Sequence, residues 1–312
     1  MNSNYQKKGL FIVTGATGWV GRNFLHELQK IYSAEIFNKS VLAFGSKKTV
    51  IKSTAYVGNQ ISIPIFPLKL INEYIENKNN LKIIHTAFLT REKISEYGIE
   101  NYIDINKSIT SSVAELLECS KNSEIVIISS GAARMFDNKI PEKSDLINRP
   151  YEYLKYKEEK FLSSKSNSIV MRIFALSGRF MKDPNLFAFG NFLLNAKSNK
   201  SIIIKSKNNV IRSYGYASDI AKLGINWLYD DKKTKLSGFR INAASVTINL
   251  LELAACITKM YSLPVVSENV DYKLEENNYS CKTNEFLGLL KEYNIKPTVL
   301  SDQIKETMKD IF

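Results

Sequence analysis

The segment RPYEYLKYKEEKF, Arg149 to Phe161, sets a tyrosine four residues before a lysine three times: Tyr151/Lys155, Tyr153/Lys157 and Tyr156/Lys160. A phenol with an ordinary pKa of about 10 is a poor acid or base near neutrality. An ammonium one helical turn away favours the phenolate and makes it able to exchange a proton with a hydroxyl or carbonyl oxygen. At about 100° per residue, Tyr151, Leu154, Lys155, Phe161 and Leu162 share one stripe, and Tyr153, Tyr156, Lys157 and Lys160 fall on the opposite face. Only Tyr151 and Lys155 can then reach a site at a sheet edge while the helix stays packed. Pro150 suits a first helical position, and Glu158 is out of place on the apolar stripe. Upstream, IISSGAAR offers Ser129 and Ser130 at a strand end, hydroxyls able to orient a carbonyl.

A second constellation precedes these residues. FIVTGATGWVGRNFLHEL puts Gly15, Gly18 and Gly21 between an apolar strand and a helix. Gly15 allows a tight turn, Gly18 close approach of a pyrophosphate, and Gly21 close packing of helix on strand. The helix N-terminus adds N–H donors and partial positive charge, so the loop predicts dinucleotide binding. The next strand runs into AFGSKK, with Ser46, Lys47 and Lys48 and no carboxylate. An acidic residue there would bind ribose hydroxyls; hydroxyl and ammonium groups suit a 2′-phosphate instead, which favours NADP over NAD.

The elements that must position these groups alternate. Strands are expected at Gly9–Thr14, Ser40–Phe44, Ile61–Phe66 (weakened by Pro64), Leu81–His85, Glu124–Ser129 and Ser168–Phe174, with helices at Trp19–Tyr32 and Asp104–Ser120. Such alternation predicts an α/β fold, a Rossmann-type doubly wound parallel sheet. Beyond about Arg179 the rhythm loosens into short strands (Ile202–Ile204, Phe239–Asn242) and helices (Ser218–Tyr229, Leu250–Met260, Gln303–Phe312), read as a smaller C-terminal substrate-binding lobe. The boundary is set at residues 1–178 and 179–312, with part of the later chain returning to the first domain.

Composition narrows the classes. The net charge is +12, but the lysines form no block longer than two, so neither a nucleic-acid nor a membrane partner is expected. A basic surface also attracts a phosphate-bearing small substrate. The three scattered cysteines, Cys119, Cys256 and Cys281, suit a reducing cytoplasm, and the polar MNSNYQKKG start does not read as a signal peptide. With two histidines, His26 and His85, no metal site is expected. His26 reads as a helix-surface or interface residue, His85 as a buried strand-end residue satisfying backbone groups, and Asp219 as a cap or brace.

Taken together, the chain resembles the extended short-chain dehydrogenase/reductases of the NAD-dependent epimerase/dehydratase family, which act mostly on nucleotide sugars. TGATGWVG matches TGxxGxxG, and the resemblance implies cofactor contacts from Gly15, Thr17, Gly18, Trp19, Val20 and Gly21. HTAF matches the HxA stretch, implying Thr86, Ala87 and Phe88 along the cofactor. DINKSIT supplies Asn106, whose family counterpart supports the fold and active-site water. PYEYLKYKEE matches PYxxxKxxxE and independently selects Tyr151 and Lys155, with Glu159 at the trailing acid. RSYGYASDIAK is similar to RDFVYVDDVA, implying that Arg212 grips the substrate diphosphate.

Departures from the pattern qualify the reaction. Aligning SSGAA to SSGAV makes Ser130 the catalytic hydroxyl and puts Arg134 at a tyrosine position; a one-residue shift would place Gly131 at the catalytic serine position and leave no hydroxyl there. Gly131 and Ala132 stand where hexose 4,6-dehydratases carry an Asp–Glu pair, which argues against that reaction. Ala175 replaces an asparagine and Arg179 a proline. The expectation is a nucleotide-sugar epimerase or ketoreductase using Ser130, Tyr151 and Lys155. The alternatives are a catalytically degenerate dinucleotide-binding sensor or scaffold, and an RNA-binding derivative of the fold. A homodimer through the helices at Asp104–Ser120 and Pro150–Ser163 is the assembly the resemblance implies.

Overall fold

The structure, a computed structural model, describes residues 9–56, 59–230, 238–264, 266 and 270–311. The chain forms two compact units, Met1–Arg172 with Gly224–Ile241, and Ile173–Leu223 with Asn242–Phe312. The first runs β1 (Phe11–Thr14), α1 (Trp19–Ile31), α2 (Ala34–Ser40), β2 (Val41–Gly45), β3 (Thr49–Tyr56), β4 (Asn59–Pro67), α3 (Ile71–Tyr74), β5 (Lys82–His85), α4 (Ile94–Tyr97), α5 (Ile99–Glu118), β6 (Glu124–Ser130), a 3-10 helix (Gly131–Phe136), α6 (Asp145–Asn148), α7 (Pro150–Ser163) and β7 (Asn167–Ile173). The second opens with β8 (Ala175–Ser177), α8 (Ala188–Lys197), β9 (Val210–Tyr216) and the start of α9 (Ala217–Tyr229). The chain re-enters the first through the end of α9 and β10 (Phe239–Asn242). It then completes the second with β11 (Val246–Asn249), α10 (Leu250–Tyr261), β12 (Asn277–Tyr279), α11 (Asn284–Glu292) and α12 (Leu300–Met308).

The first unit holds an eight-stranded sheet in the order β10-β7-β6-β5-β1-β2-β4-β3. β1 lies between β2 and β5, parallel to both, and β5 is parallel to β6. Strands covered on both faces need no polar alternation, and Phe11, Ile12, Val13 and Thr14 are all fully buried. Val113, Leu116 and Leu117 of α5 and Leu162 of α7 share one core with Ile12, Ile83, Ile125 and Ile127 of the strands. This is the Rossmann-like α/β fold the alternation implies.

One expected crossover is missing. After β2 the chain forms β3 antiparallel to β4, and β4 then lies parallel to β2. A hairpin therefore occupies the sheet edge where a helix would ordinarily connect parallel strands. β3 escaped the sequence reading. Pro64 is tolerated inside β4 because the register with β2 begins only at Ile65, so no β2 carbonyl loses a donor.

In the second unit β9 is flanked by β11, β12 and β8. The strand expected at Ile202–Ile204 is not a ladder: Ile202 and Ile204 are buried and Ile203 is half exposed, with a single bridge at Ile203. Phe239–Asn242 is a strand, but as β10 it joins the large sheet rather than the smaller lobe. The last helix starts at Leu300 and ends at Met308; Phe312 lies outside the described residues. No helix among the described residues is long and apolar enough to cross a membrane.

Candidate active site

The glycine loop has little room for side chains. Gly15 adopts φ +65°, and a Cβ there would stand 2.6 Å from the Ala87 nitrogen. A Cβ on Gly21 would lie 2.3 Å from the Gly15 carbonyl oxygen, so helix α1 sits directly on the turn. Gly18 donates its N–H to that same oxygen (2.8 Å) and precedes Trp19 and Val20, the first residues of α1. A Cβ on Gly18 would meet only this oxygen, at 3.1 Å. Gly18, the N-cap of α1, has no side chain with which to cap the helix, and a helix start of this kind suits an anion. Thr17 lies against Gly45 at the end of β2. Ser46 and Lys47 follow it, both exposed.

β5 delivers the next wall. The Thr86 hydroxyl donates to the Thr14 carbonyl (2.7 Å), and Ala87 N–H donates to the Thr14 hydroxyl (3.4 Å). Asn106, buried on α5, accepts from Leu89 N–H (2.8 Å) and donates to the Leu89 and Tyr102 carbonyls. Its amide therefore holds the backbone just after Phe88. Phe88 in turn touches two residues of α7: its ring meets Tyr151 edge-on at 5.9 Å, and the Lys155 ammonium lies 3.8 Å from its centroid.

Lys155 is 5% exposed, and its Nζ donates to the Ile128 carbonyl (3.0 Å) and to Glu158 Oε2 (2.8 Å). Ile128 is two residues before Ser130, so this bond joins α7 to the end of β6. Ser130 is buried as the last residue of β6, and its hydroxyl accepts from Ala132 N–H (3.2 Å). Gly131 opens the 3-10 helix instead of ending the strand. Ser129 is also buried, one residue out of phase with Ser130 on the strand, and its hydroxyl has no partner among the described residues. Tyr151, in the first turn of α7, is half-buried, with the Arg91 guanidinium 5.3 Å over its ring and paired to Glu152 (2.6 Å).

Helix α7 buries a wider arc than its apolar pattern implies. Leu154, Lys155, Glu158, Glu159, Leu162 and Ser163 are buried, and Phe161, expected against the sheet, is 44% exposed. Tyr153 and Tyr156, expected on the solvated face, pack against Phe136 with ring centroids 6.2 and 5.6 Å away. The cause is ionic. Arg172 of β7 is gripped by Glu159 and Asp137 at 2.6–2.8 Å, which draws one carboxylate of α7 inward. Burial opposes the charge of Arg172, but the two carboxylates outweigh it and raise its pKa. His85 also differs from expectation: its ring bonds the Thr14 hydroxyl (2.7 Å) and Glu158 Oε1 (3.1 Å) rather than backbone groups. Burial pushes the Glu158 carboxyl up, yet Lys155 and His85 prevail and hold it below the usual glutamate value.

The family model for the NAD dependent epimerase/dehydratase family matches residues 11–244. The chain belongs to this family. No curated protein matches it in sequence. Among solved structures, the UDP-glucuronic acid 4-epimerase of Bacillus cereus, determined with UDP-glucuronic acid and NAD, is 17% identical with a TM-score of 0.67, covering 96% of this chain and 98% of its own. DesIV of Streptomyces venezuelae, a dTDP-glucose 4,6-dehydratase determined as a double mutant with NAD and DAU, is 16% identical (TM-score 0.66; 96% and 95% covered). The epimerase Mth375 of Methanothermobacter thermautotrophicus is 18% identical (TM-score 0.65; 98% and 93%). At such identities the likeness establishes the fold, and the family motifs tie the chain to extended short-chain dehydrogenase/reductase enzymes.

In this family member, Arg212 lies on β9 of the second unit. Its guanidinium donates to the Asn277 carbonyl (2.7 Å) and side chain (3.0 Å) and to the Ile211 carbonyl. Arg179, at the proline position, pairs with Asp310 (3.1 Å). Asp219 braces the second unit by accepting from Thr298 N–H (2.7 Å) and hydroxyl (2.9 Å). Burial raises its pKa.

Proposed function

We propose that the protein is a nucleotide-sugar epimerase or ketoreductase that works through Ser130, Tyr151 and Lys155. The observation that carries the reading is the Lys155–Ile128 bond. It brings the Tyr/Lys helix onto the strand that ends in Ser130, beside the Phe88 wall. A nicotinamide dinucleotide fits the glycine cradle, where Gly15 and Gly21 exclude side chains and α1 starts from a glycine N-cap. When bound it supplies hydride exchange. Gly15, Thr17, Gly18, Trp19, Val20 and Gly21 hold its pyrophosphate side; Thr86, Ala87 and Phe88 line it, with Asn106 fixing their backbone.

Tyr151 exchanges the proton at the sugar oxygen, taking it from a hydroxyl or returning it to a carbonyl. Lys155 stabilises the phenolate, and Ser130 orients the oxygen by hydrogen bonding. Arg212 holds the substrate diphosphate. In epimerisation the keto sugar turns before reduction, whereas a ketoreductase reduces once. NADP is favoured over NAD because β2 ends in Ser46 and Lys47, exposed and without a carboxylate. The protein acts in the cytoplasm, and a homodimer through α5 and α7 is the proposed assembly.

A catalytically degenerate sensor is the second reading. It is favoured by the use of the Ser130 hydroxyl as a cap for Ala132. Titration with NADH and NADPH, alone and with UDP-, GDP-, CDP- and dTDP-sugars, followed by product analysis, separates these readings. Turnover of one nucleotide class is expected. Cofactor binding without turnover of any sugar in the panel favours the sensor, and failure to bind either cofactor refutes both.

A further inference from the structure

Glu158 is the residue that the helical pattern of α7 cannot accommodate, and it is fully buried. Its carboxylate bridges two bases, Lys155 Nζ at 2.8 Å and His85 Nε2 at 3.1 Å, with the Thr110 hydroxyl of α5 at 3.5 Å. The protons along this chain follow from hydrogen-bond counting. A hydroxyl has one hydrogen and two lone pairs. The Thr14 hydroxyl oxygen accepts from Ala87 N–H (3.4 Å) and shares the Thr86 N–H with the Thr14 carbonyl (3.3 Å to each), which favours its own hydrogen going to His85 Nδ1 (2.7 Å). The Glu158 carboxylate can only accept, so His85 Nε2 carries the hydrogen donated to it, and Nδ1 is left to accept from Thr14. The result is an imidazole, a carboxylate and an ammonium in line, with Thr14 next to Gly15 at one end and Lys155 at the other.

A buried ammonium is disfavoured by desolvation unless an opposite charge is bonded to it. The groups facing the pair are His85 from β5, Thr110 from α5, the Ile128 carbonyl from β6 and the Phe88 ring, which also meets Tyr151 one turn earlier on α7. Glu158 is the anion bonded to Lys155. We infer that Glu158 is a positioning residue for Lys155. Its carboxylate keeps the ammonium charged and turned to the Ile128 carbonyl, while His85 and Thr14 tie that charge to the glycine loop. The inference deepens the proposed function and rests on it for the role of Lys155.

The test is the affinity for NADH and NADPH, measured by fluorescence across pH, in wild type, Glu158→Gln, Glu158→Asp and His85→Gln. Glutamine at 158 removes the carboxylate bonded to the ammonium and leaves it the Ile128 carbonyl and the Phe88 ring. Its affinity is expected within about threefold of wild type near pH 7 and about tenfold or more weaker near pH 9.5. Wild type stays nearly flat, and Glu158→Asp, charged but shorter, falls between. His85→Gln is expected to follow wild type, because a glutamine can accept from Thr14 and donate to Glu158 as the imidazole does. A purely structural role would weaken binding by a constant factor, so parallel curves for Glu158→Gln and wild type overturn the inference. Should Glu158→Gln not fold, Glu158→Asp decides by the same comparison. If wild type binds neither cofactor, the proposed function fails by itself, and the linkage is judged by nitrogen NMR of the two histidines near pH 8, assigned with His26→Gln. The Nε2–H tautomer at His85 is expected; the Nδ1–H tautomer or an imidazolium overturns the linkage.

Discussion

Replacing Gly21 by alanine, with Gly18→Ala as its companion, separates the two jobs of the glycine loop. The added Cβ at 21 would stand 2.3 Å from the Gly15 oxygen and 2.9 Å from its carbon, both backbone atoms. Ordinary contact begins near 3.4 Å, so the turn must retreat by about 1 Å, and strain of this kind costs about 1–3 kcal/mol. Gly15 has no room to yield towards β5, where Ala87 N and the Thr86 hydroxyl already crowd its own Cβ position at 2.6 Å. At about 2–4 °C per kcal/mol, Gly21→Ala should lower Tm by roughly 2–12 °C and weaken cofactor binding as well. Gly18→Ala meets a single oxygen at 3.1 Å. It should leave Tm within about 2 °C while obstructing a pyrophosphate at the start of α1 and weakening binding about tenfold or more. Calorimetry and cofactor titration on the same preparations provide both readings. A Gly21→Ala protein with wild-type Tm, or a Gly18→Ala protein with wild-type affinity, would refute the reasoning.

Tyr151→Phe removes one hydroxyl and keeps the ring on Phe88, so turnover should fall about 100- to 10,000-fold with cofactor affinity nearly unchanged; equal losses in Tyr153→Phe would transfer the role. Arg172→Met strands the buried carboxylate of Glu159 and should destabilise the fold by about 3–5 kcal/mol, read from denaturant unfolding. Arg212→Ala should raise KM for a nucleotide-linked substrate about tenfold or more with kcat little changed, and unaltered kinetics would remove Arg212 from the diphosphate site.

The chemistry-bearing spacing was more legible than the packing that surrounds it. Gly15 and Gly21 announce themselves because backbone crowding leaves no alternative residue, and Gly18 through its spacing between them. The strands β1, β5 and β6 do so because apolar runs between turns have few other uses. The hairpin strand β3 was missed: Thr49–Tyr56 has polar residues throughout and gains its place by pairing with β4. On α7, an apolar wheel assigns Phe161 to the core and regards Glu158 as an error, since hydropathy cannot see a charge whose partners come from β5 and the same helix. Tyr153 and Tyr156 packed inward for a related reason, because Phe136 of the 3-10 helix supplies a ring surface no local pattern reveals.

The return of the chain at Gly224 bears on how the protein is made. Tyr229 meets Phe11 of β1 at 5.4 Å between ring centroids and shares a hydroxyl contact with Tyr32, while Ile225, Trp227 and Leu228 are buried. A nascent chain that has emerged only to β7 therefore lacks the strand that closes one edge of its sheet and the helix end that covers β1. Synthesis must pass through β8, α8 and β9 before these pieces appear. No single cut yields the intact first unit, and a ribosome-bound or truncated product ending near residue 178 would expose apolar surface around Phe11 and Phe24 for chaperones to hold.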